Sequence, residues 1–418
     1  MEDSKRYRIK QTGIETRLRR LTMDCRIIEL KVDQSKISKK IKLRLEQCFF
    51  EAKWIYNAAI ASQNVFTFKT GKTVEVKTFN PISGICDLTE ERNLTIGSQI
   101  RQSLVNRARN NVLNLNKLRK KGTKAGKLKF KNEIKSLPLV QNGGDFRIKK
   151  NFILVQKIGK LFVNGLDQVK NNYEIANANL IKKASGYYIN ITVFIPKVKT
   201  EKSGEIGLDF GIKDSVVDSN GVKLNWSFDT KKIKRDARRL SKKKKGSKNK
   251  LKAKKKLQKS YEKLTRQKDN EANQFVSTLK KYEKVVIQNE NLKGWQAGLF
   301  GKQIQETILG RIKTKIKNLE TSQVIDRFLP TTQLCPKCEI KNKIPLSQRD
   351  YSCSCGYYHP DRDVKAAQTI LTYGKILGEP KTKPVEKTTS FWDTFSILSK
   401  LNSEKQEALT SEVVHFKK

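Results

Sequence analysis

Four cysteines and the acidic turn after them constrain this chain more than any other feature. Cys335-Pro-Lys-Cys338 and Cys353-Ser-Cys355 are two close pairs on either side of a short basic stretch. Two such pairs suit a structural Zn²⁺ site, with four thiolates in tetrahedral geometry and no open position. Cys-x-Cys is tighter than the usual Cys-x₂-Cys, and His359 lies near enough to replace one thiol. Cys25, Cys48 and Cys86 are scattered through segments that read as strand, helix and loop. They are expected to stay reduced, as in a reducing cytosol. Directly after the second pair, Asp361-Arg362-Asp363-Val364-Lys365-Ala366-Ala367 reads as an acidic turn opening a helix.

Two further carboxylates stand at the ends of apolar runs that read as buried strands. Asp209 closes Glu205-Ile206-Gly207-Leu208, and Glu290 closes Lys284-Val285-Val286-Ile287-Gln288-Asn289. Hydrolysis of a phosphodiester by two Mg²⁺ ions needs hard oxygen ligands around metals about 3.5–4 Å apart. Asp209, Glu290 and Asp363 meet that need if the two strands and the following helix are neighbours. Asp361 reads as a cap for that helix. Any one of these acids alone is a weak signal, because a strand-end Asp is commonly a turn former.

Charge narrows the partner. Lys and Arg number 88 against 41 Asp and Glu, a formal net charge of +47. Such a chain repels itself unless a polyanion neutralises it, and nucleic acid is the expected partner. Residues 231–259 concentrate the excess, with 17 Lys or Arg and one acid, Asp236. Gly246-Ser247 is expected to break this stretch into a helical hairpin, apolar on one face and basic on the other. Its nucleic-acid contacts are assigned to Lys231, Lys232, Lys234, Arg235, Arg238, Arg239, Lys242, Lys243, Lys244 and Lys245. No apolar run approaches the roughly 18 residues of a membrane span, and no secretory signal is visible.

The rest of the chain reads as alternating element types. Residues 25–32 suggest a strand. Ile41, Leu45, Cys48, Phe49, Ala52, Ile55, Tyr56 and Ala59 recur at helical steps within 35–66, and a second helix is expected over 96–118. Short strands at 152–155, 160–163 and 187–193 predict a small β-barrel that the strand at 25–32 joins. A helix over 303–319 and a strand over 322–328 lead into the cysteine cluster.

Taken together, these residues resemble the TnpB family, transposon-encoded RNA-guided nucleases related to the miniature type V CRISPR effectors. Gly207-Leu208-Asp209-Phe210-Gly211, Gln288-Asn289-Glu290-Asn291-Leu292-Lys293-Gly294-Trp295 and Asp361-Arg362-Asp363-Val364-Lys365-Ala366-Ala367 match the three RuvC motifs. Leu309-Gly310-Arg311-Ile312-Lys313, the run Pro330–Cys338 and Leu346-Ser347-Gln348-Arg349 are similar too. The likeness covers roughly residues 204–371, and the N-terminal half fits more loosely. In the family the second aspartate of the third motif is catalytic, hence Asp363. Two departures stand out: Lys365 where the family usually has Asn, sometimes His, and the shortened Cys353-Ser354-Cys355 pair.

The resemblance implies an α/β RuvC/RNase H-like nuclease core with a β-barrel wedge domain, an inserted helical recognition lobe and a zinc-binding insertion. The implied boundaries are a basic, mobile extension at 1–20, a wedge at 21–34 and 126–203, and a helical lobe at 35–125. The first segment of the nuclease core follows at 204–330 with the basic hairpin at 229–283. The zinc insertion then spans 331–358, the second nuclease segment 359–374 and a flexible tail 375–418. The implied activity is Mg²⁺-dependent, RNA-guided cleavage of double-stranded DNA beside a short target-adjacent motif, in the cytoplasm of a prokaryote. The implied cofactors are Mg²⁺ at Asp209, Glu290 and Asp363 and Zn²⁺ at Cys335, Cys338, Cys353 and Cys355. The implied partners are a guide RNA and target DNA, with no membrane. A CRISPR-associated effector shares these motifs. A nuclease-inactive RNA-guided repressor would be expected to have lost acids that remain here. A transposase proper is disfavoured, since two histidines and no evident Tyr nucleophile leave it without its His-x-His metal motif.

Overall fold

The computed structural model describes residues 2–78, 88–198, 201–345 and 347–376. Cys86, Leu346 and the tail beyond Ile376 lie outside them. The chain divides into two compact units, Met1–Lys199 with Lys254–Lys259, and Thr200–Ala253 with Ser260–Lys418. Among the described residues no helix is long and apolar enough to cross a membrane.

The first unit opens with a helix, α1 (Glu2–Leu21), where the sequence suggested a mobile extension. Its last turn is tied down. Arg20 pairs with Glu174 at 2.7 Å and stacks over the Phe194 ring at 4.4 Å, and Arg19 pairs with the same carboxylate. Then come β1 (Met23–Val32), α2 (Lys39–Ala61), β2 (Thr73–Thr78), β3 (Leu88–Asn93) and α3 (Ser98–Lys120). Ser38 caps α2 through the Ile41 N–H, which stops the helix short of the expected start at 35. Six more strands complete the unit: β4 (Ser136–Leu139), β5 (Phe146–Ile148), β6 (Phe152–Val155), β7 (Gly159–Asn164), β8 (Glu174–Lys183) and β9 (Gly186–Pro196).

These strands form one sheet in the order β4-β8-β9-β1-β7-β6-β5, every pairing antiparallel. Its two edges, β4 and β5, are consecutive in the chain and joined by a tight turn at 140–145. So short a link between opposite edges requires the sheet to curl, and the result is barrel-like. Leu45, Ala52 and Ile55 of α2, Ile100 and Leu104 of α3, and Leu137, Ile153 and Ile189 of the sheet share one core. Glu51, fully buried in that core, accepts from the Thr95 and Ile96 N–H groups at 2.8 Å each. A buried carboxylate so satisfied fixes the entry to α3.

The second unit is a layered α/β structure. In chain order it comprises β10 (Glu205–Phe210), β11 (Val216–Asp218), β12 (Lys223–Leu224), α4 (Lys231–Ser241), α5 (Lys248–Leu279) and β13 (Lys284–Gln288). After these come α6 (Leu292–Ala297), α7 (Gly301–Glu306), α8 (Leu309–Ile316), β14 (Ser322–Ile325), β15 (Tyr351–Ser352), β16 (Tyr358–His359) and α9 (Arg362–Ile376). The main sheet runs β12-β11-β10-β13-β14, antiparallel up to β10 and parallel from β10 through β13 to β14. β13 is apolar without alternation because both faces are covered. Val285 and Ile287 pack with Ala272, Val276 and Ile312 on one side, while Val286 meets Ile370 of α9 on the other. The expected single helix over 303–319 is two, α7 and α8, broken at Thr307, whose N–H and hydroxyl both close the end of α7.

Candidate active site and metal centre

Three features of the second unit set the strand-end acids and the α9 acid at one edge of the sheet. First, β10 and β13 are parallel neighbours with Leu208 level with Ile287. Asp209 and Glu290 therefore stand at the same, carboxyl-terminal edge of the sheet, where open α/β sheets place their sites. Second, Gly207 and Asp209 share one face of β10, by the two-residue period of a strand. That face takes α9 at very close range: a Cβ on Gly207 would lie 2.2 Å from the Ala367 carbonyl and 2.9 Å from Leu371. Gly374 makes the same allowance at Val286, where a Cβ would meet a methyl at 2.6 Å. Third, Asp363 lies one turn before Ala367, at the opening of the helix so placed.

The electrostatics record the convergence. Burial, then the charges of Glu290 and Asp363, push the Asp209 carboxyl up to about 8 against the Phe210 N–H and Arg362. Glu290 is likewise raised by burial, with Lys313 opposing. Lys313 donates to the Glu290 carbonyl, and burial together with Lys317 pushes its ammonium down to about 8. Among the described residues the Asp363 carboxylate has a long contact to Arg349, 3.5 Å, and a longer one to Arg362. A carboxyl kept protonated first by burial and then by two neighbouring acids is one whose charge a divalent cation would favour. These carboxylates are hard oxygen donors of the kind Mg²⁺ takes, but among the described residues the four cysteines alone gather their ligand atoms within 4.8 Å of one another.

Asp361 is the cap that its position suggests. It accepts from the Asp363 N–H at 2.9 Å and the Val364 N–H at 3.2 Å, and it pairs with Lys223 of β12. Burial would raise its carboxyl, but the Lys223 hydrogen bond and the two N–H groups hold it below the ordinary value. Nothing in the sequence signals Lys223 as its partner, because the pair forms only once β12 and α9 are brought side by side.

The four cysteines gather into one cluster, every sulfur within 4.8 Å of the others. Cys335 Sγ lies 3.6 Å from Cys355 Sγ, and Cys338 Sγ lies 3.5 Å from Cys353 Sγ. Zn–S bonds of about 2.3 Å in a tetrahedron need sulfurs roughly 3.8 Å apart, so the set fits Zn²⁺. The Cys355 N–H leads in holding the Cys353 thiol down, while its partner Cys338 is pushed up, so the pair shares a proton that a metal would displace. The short Cys-x-Cys pair still brings both its sulfurs into the cluster. His359 does not replace a thiol: its Nδ1 accepts from the Asp361 N–H at 3.0 Å.

Lys365 points into this knuckle. Its Nζ donates to the Thr331 carbonyl at 3.0 Å and to the Leu334 carbonyl, and it sits 3.9 Å from the Tyr351 ring centroid. The cation beside the third motif thus engages the cysteine-rich insertion, and the charges acting on Asp209 come from Glu290, Asp363 and Arg362.

All ten cations assigned to nucleic acid are exposed on α4 and the turn after it. Lys231, Lys234, Arg235, Arg238, Arg239 and Lys242 line one shallow groove. Ile233 and Asp236 are buried on the other side, where Asp236 accepts from Ser260 of α5 at 2.9 Å. Ser247 caps α5, so the break falls where Gly246-Ser247 suggested.

Comparison with known proteins adds three likenesses. Residues 308–370 match the family model for the Cas12f1-like TNB domain. A curated protein of Streptomyces pristinaespiralis, described as an RNA-guided DNA endonuclease, is 29% identical over 181 residues. That match takes in 40% of this chain and spans 45% of the relative's length. The solved structure of a Cas12f1–sgRNA–target DNA complex aligns over 84% of this chain and 99% of that chain. Its identity is 14% and its TM-score 0.45, too loose to carry an argument. The chain resembles the TnpB and miniature type V effector proteins.

Proposed function

We propose that this chain is an RNA-guided DNA endonuclease with one RuvC/RNase H-like site, formed by Asp209, Glu290 and Asp363. The observation that carries the reading is geometric: Asp209 and Glu290 stand at the shared carboxyl-terminal edge of parallel β10 and β13, and α9, whose first turn carries Asp363, packs directly on Gly207 of β10. The 3-2-1-4-5 strand order of the second unit suits that core, and the barrel-like sheet and the helices of the first unit suit a wedge and recognition lobe. The description of the Streptomyces relative supports the same reading.

Asp209, Glu290 and Asp363 would hold two Mg²⁺ ions, which when bound supply an activated water and neutralise charge on the scissile phosphate. The protein's role is placement. The sheet edge fixes Asp209 and Glu290, and the Asp361 cap fixes the turn that carries Asp363. Lys313 holds the Glu290 backbone. The cations of α4 neutralise phosphate backbone, while base pairing to the guide supplies sequence specificity. The element is a transposon gene in this reading, and the Cas12f1-like match over 308–370 supports a CRISPR-associated effector as the second.

The test is to purify the protein with RNA transcribed from its flanking DNA and present a matched target library with Mg²⁺ or EDTA. The expected result is cutting that needs RNA and Mg²⁺, vanishes in Asp209→Ala and reveals an adjacent motif. RNA-dependent binding without cutting would replace nuclease by repressor.

A further inference from the structure

Lys365 is a cation that the proposed reaction does not use. It is 0% exposed, two residues after Asp363 in α9. An ammonium has three protons to donate, and here the takers are the Thr331 carbonyl, the Leu334 carbonyl and the face of Tyr351. Two carbonyls and a ring satisfy hydrogen bonds without cancelling a charge, and a buried charge left uncancelled is strongly unfavourable. The anions at hand are the thiolates: Leu334, whose carbonyl takes one proton, adjoins Cys335, and Tyr351, whose ring takes another, stands two residues before Cys353. Four thiolates around one Zn²⁺ leave an excess of two negative charges.

The contacts run on toward the catalytic strands. The hydroxyl of Thr331 meets Gln288 Oε1 at 3.2 Å, and the Gln288 amide donates to the Asp326 and Leu329 carbonyls at 3.0 and 2.7 Å. Gln288 ends β13, two residues before Glu290. Lys365 therefore sits where the cysteine cluster, the β13 end and the Asp363 helix meet.

We propose that Lys365 is the counter-charge of the four-cysteine zinc centre, a positioning residue through which a loaded knuckle locks the first turn of α9. This deepens the zinc reading of the cluster and rests on it. In a chain without the metal the lock loosens, and Asp363 loses its fixed place relative to Asp209.

The test compares full-length wild type with Lys365→Met, which keeps length without charge, and Lys365→Gln, which keeps a donor without charge. Zinc content is measured by elemental analysis and zinc release by a chromogenic chelator. Wild type is expected to hold one zinc per chain, and both variants to release it at least tenfold faster. Release from Lys365→Gln at the wild-type rate would mean that hydrogen bonding suffices and would overturn the proposal. A wild type without zinc would remove the zinc reading itself, and this inference with it, while leaving the nuclease reading to its own test. Should both variants fail to fold, hydrogen exchange of zinc-loaded and zinc-stripped wild type decides. Faster exchange at residues 362–366 after stripping is expected, and unchanged exchange would refute the lock.

Discussion

Replacing Asp209 by Asn should abolish cleavage and, without metal, make the protein more stable. Burial and two like charges hold the Asp209 proton up to about 8 against an ordinary 3.8. The folded chain thus binds that proton more tightly than the unfolded one. The penalty is absent below pH 4 and grows as pH rises toward 8, because over that range the unfolded carboxyl ionises freely and the folded one does not. At pH 7 the ceiling is about 4 kcal/mol. Asp209 keeps some solvent access, so a share of about 1–3 kcal/mol is expected. Asn keeps the shape and removes the charge. In EDTA at pH 7.5 the variant should melt roughly 2–8 °C above wild type, with the gap narrowing toward pH 5. Adding Mg²⁺ should raise the wild-type melting temperature and barely move the variant. Differential scanning calorimetry from pH 5 to 8, with and without Mg²⁺, checks all three effects. A wild type more stable than Asp209→Asn in EDTA at pH 8, or a gap indifferent to pH, would sink the claim that the three acids share one uncompensated site.

Other changes separate the roles of neighbouring residues. Asp361→Ala should cost about 0.5–2 kcal/mol of stability as a lost helix cap and leave measurable cleavage, whereas Asp363→Ala should leave none. Melting curves and single-turnover assays on the two variants distinguish cap from ligand. Gly207→Ala puts a methyl 2.2 Å from the Ala367 carbonyl, so α9 must shift, at about 1–3 kcal/mol. Cleavage should fall sharply while RNA binding, measured by filter retention, persists. Replacing Arg235, Arg238 and Arg239 together by Ala should weaken nucleic-acid binding alike for all sequences. It should also flatten the dependence of log K on log salt by roughly 0.7–0.9 for each phosphate no longer neutralised. A change confined to one target sequence would mean base reading instead.

What the sequence discloses, and what it hides, follows the range of each interaction. Asp209, Glu290 and the two cysteine pairs are legible because their signals are local: an apolar run ending in an acid, and thiols at fixed short spacing. The long apolar stripes of α2 and α3 are legible for the same reason. The α1 helix is not, since its anchor is Glu174, more than 150 residues away, and its own sequence is mostly polar and basic. β4, β5, β8 and the β2–β3 ribbon escape because partners rather than alternation define them. From its place in the motif, Lys365 reads as a neighbour of the catalytic acids. Spacing along a helix says which residues are near in sequence. It does not say which face a side chain takes, and Lys365 takes the face toward the knuckle.

That choice of face sets how one short helix is held between the sheet and the cysteine knuckle. α9 is held by three contacts of different kinds. Gly207 and Gly374 admit it to the sheet by absence of side chain, Asp361 caps it and ties it to Lys223, and Lys365 fastens it to the knuckle. The first is steric and indifferent to salt and metal. The second is a half-exposed ion pair that salt weakens. The third is buried and takes its counter-charge from the thiolates. Stripping zinc should therefore loosen the first turn of α9 and spare its packing at Gly374. High salt should loosen the cap and spare the knuckle. Only the turn bearing Asp363 is exposed to both failures, so catalysis should be lost before the fold is.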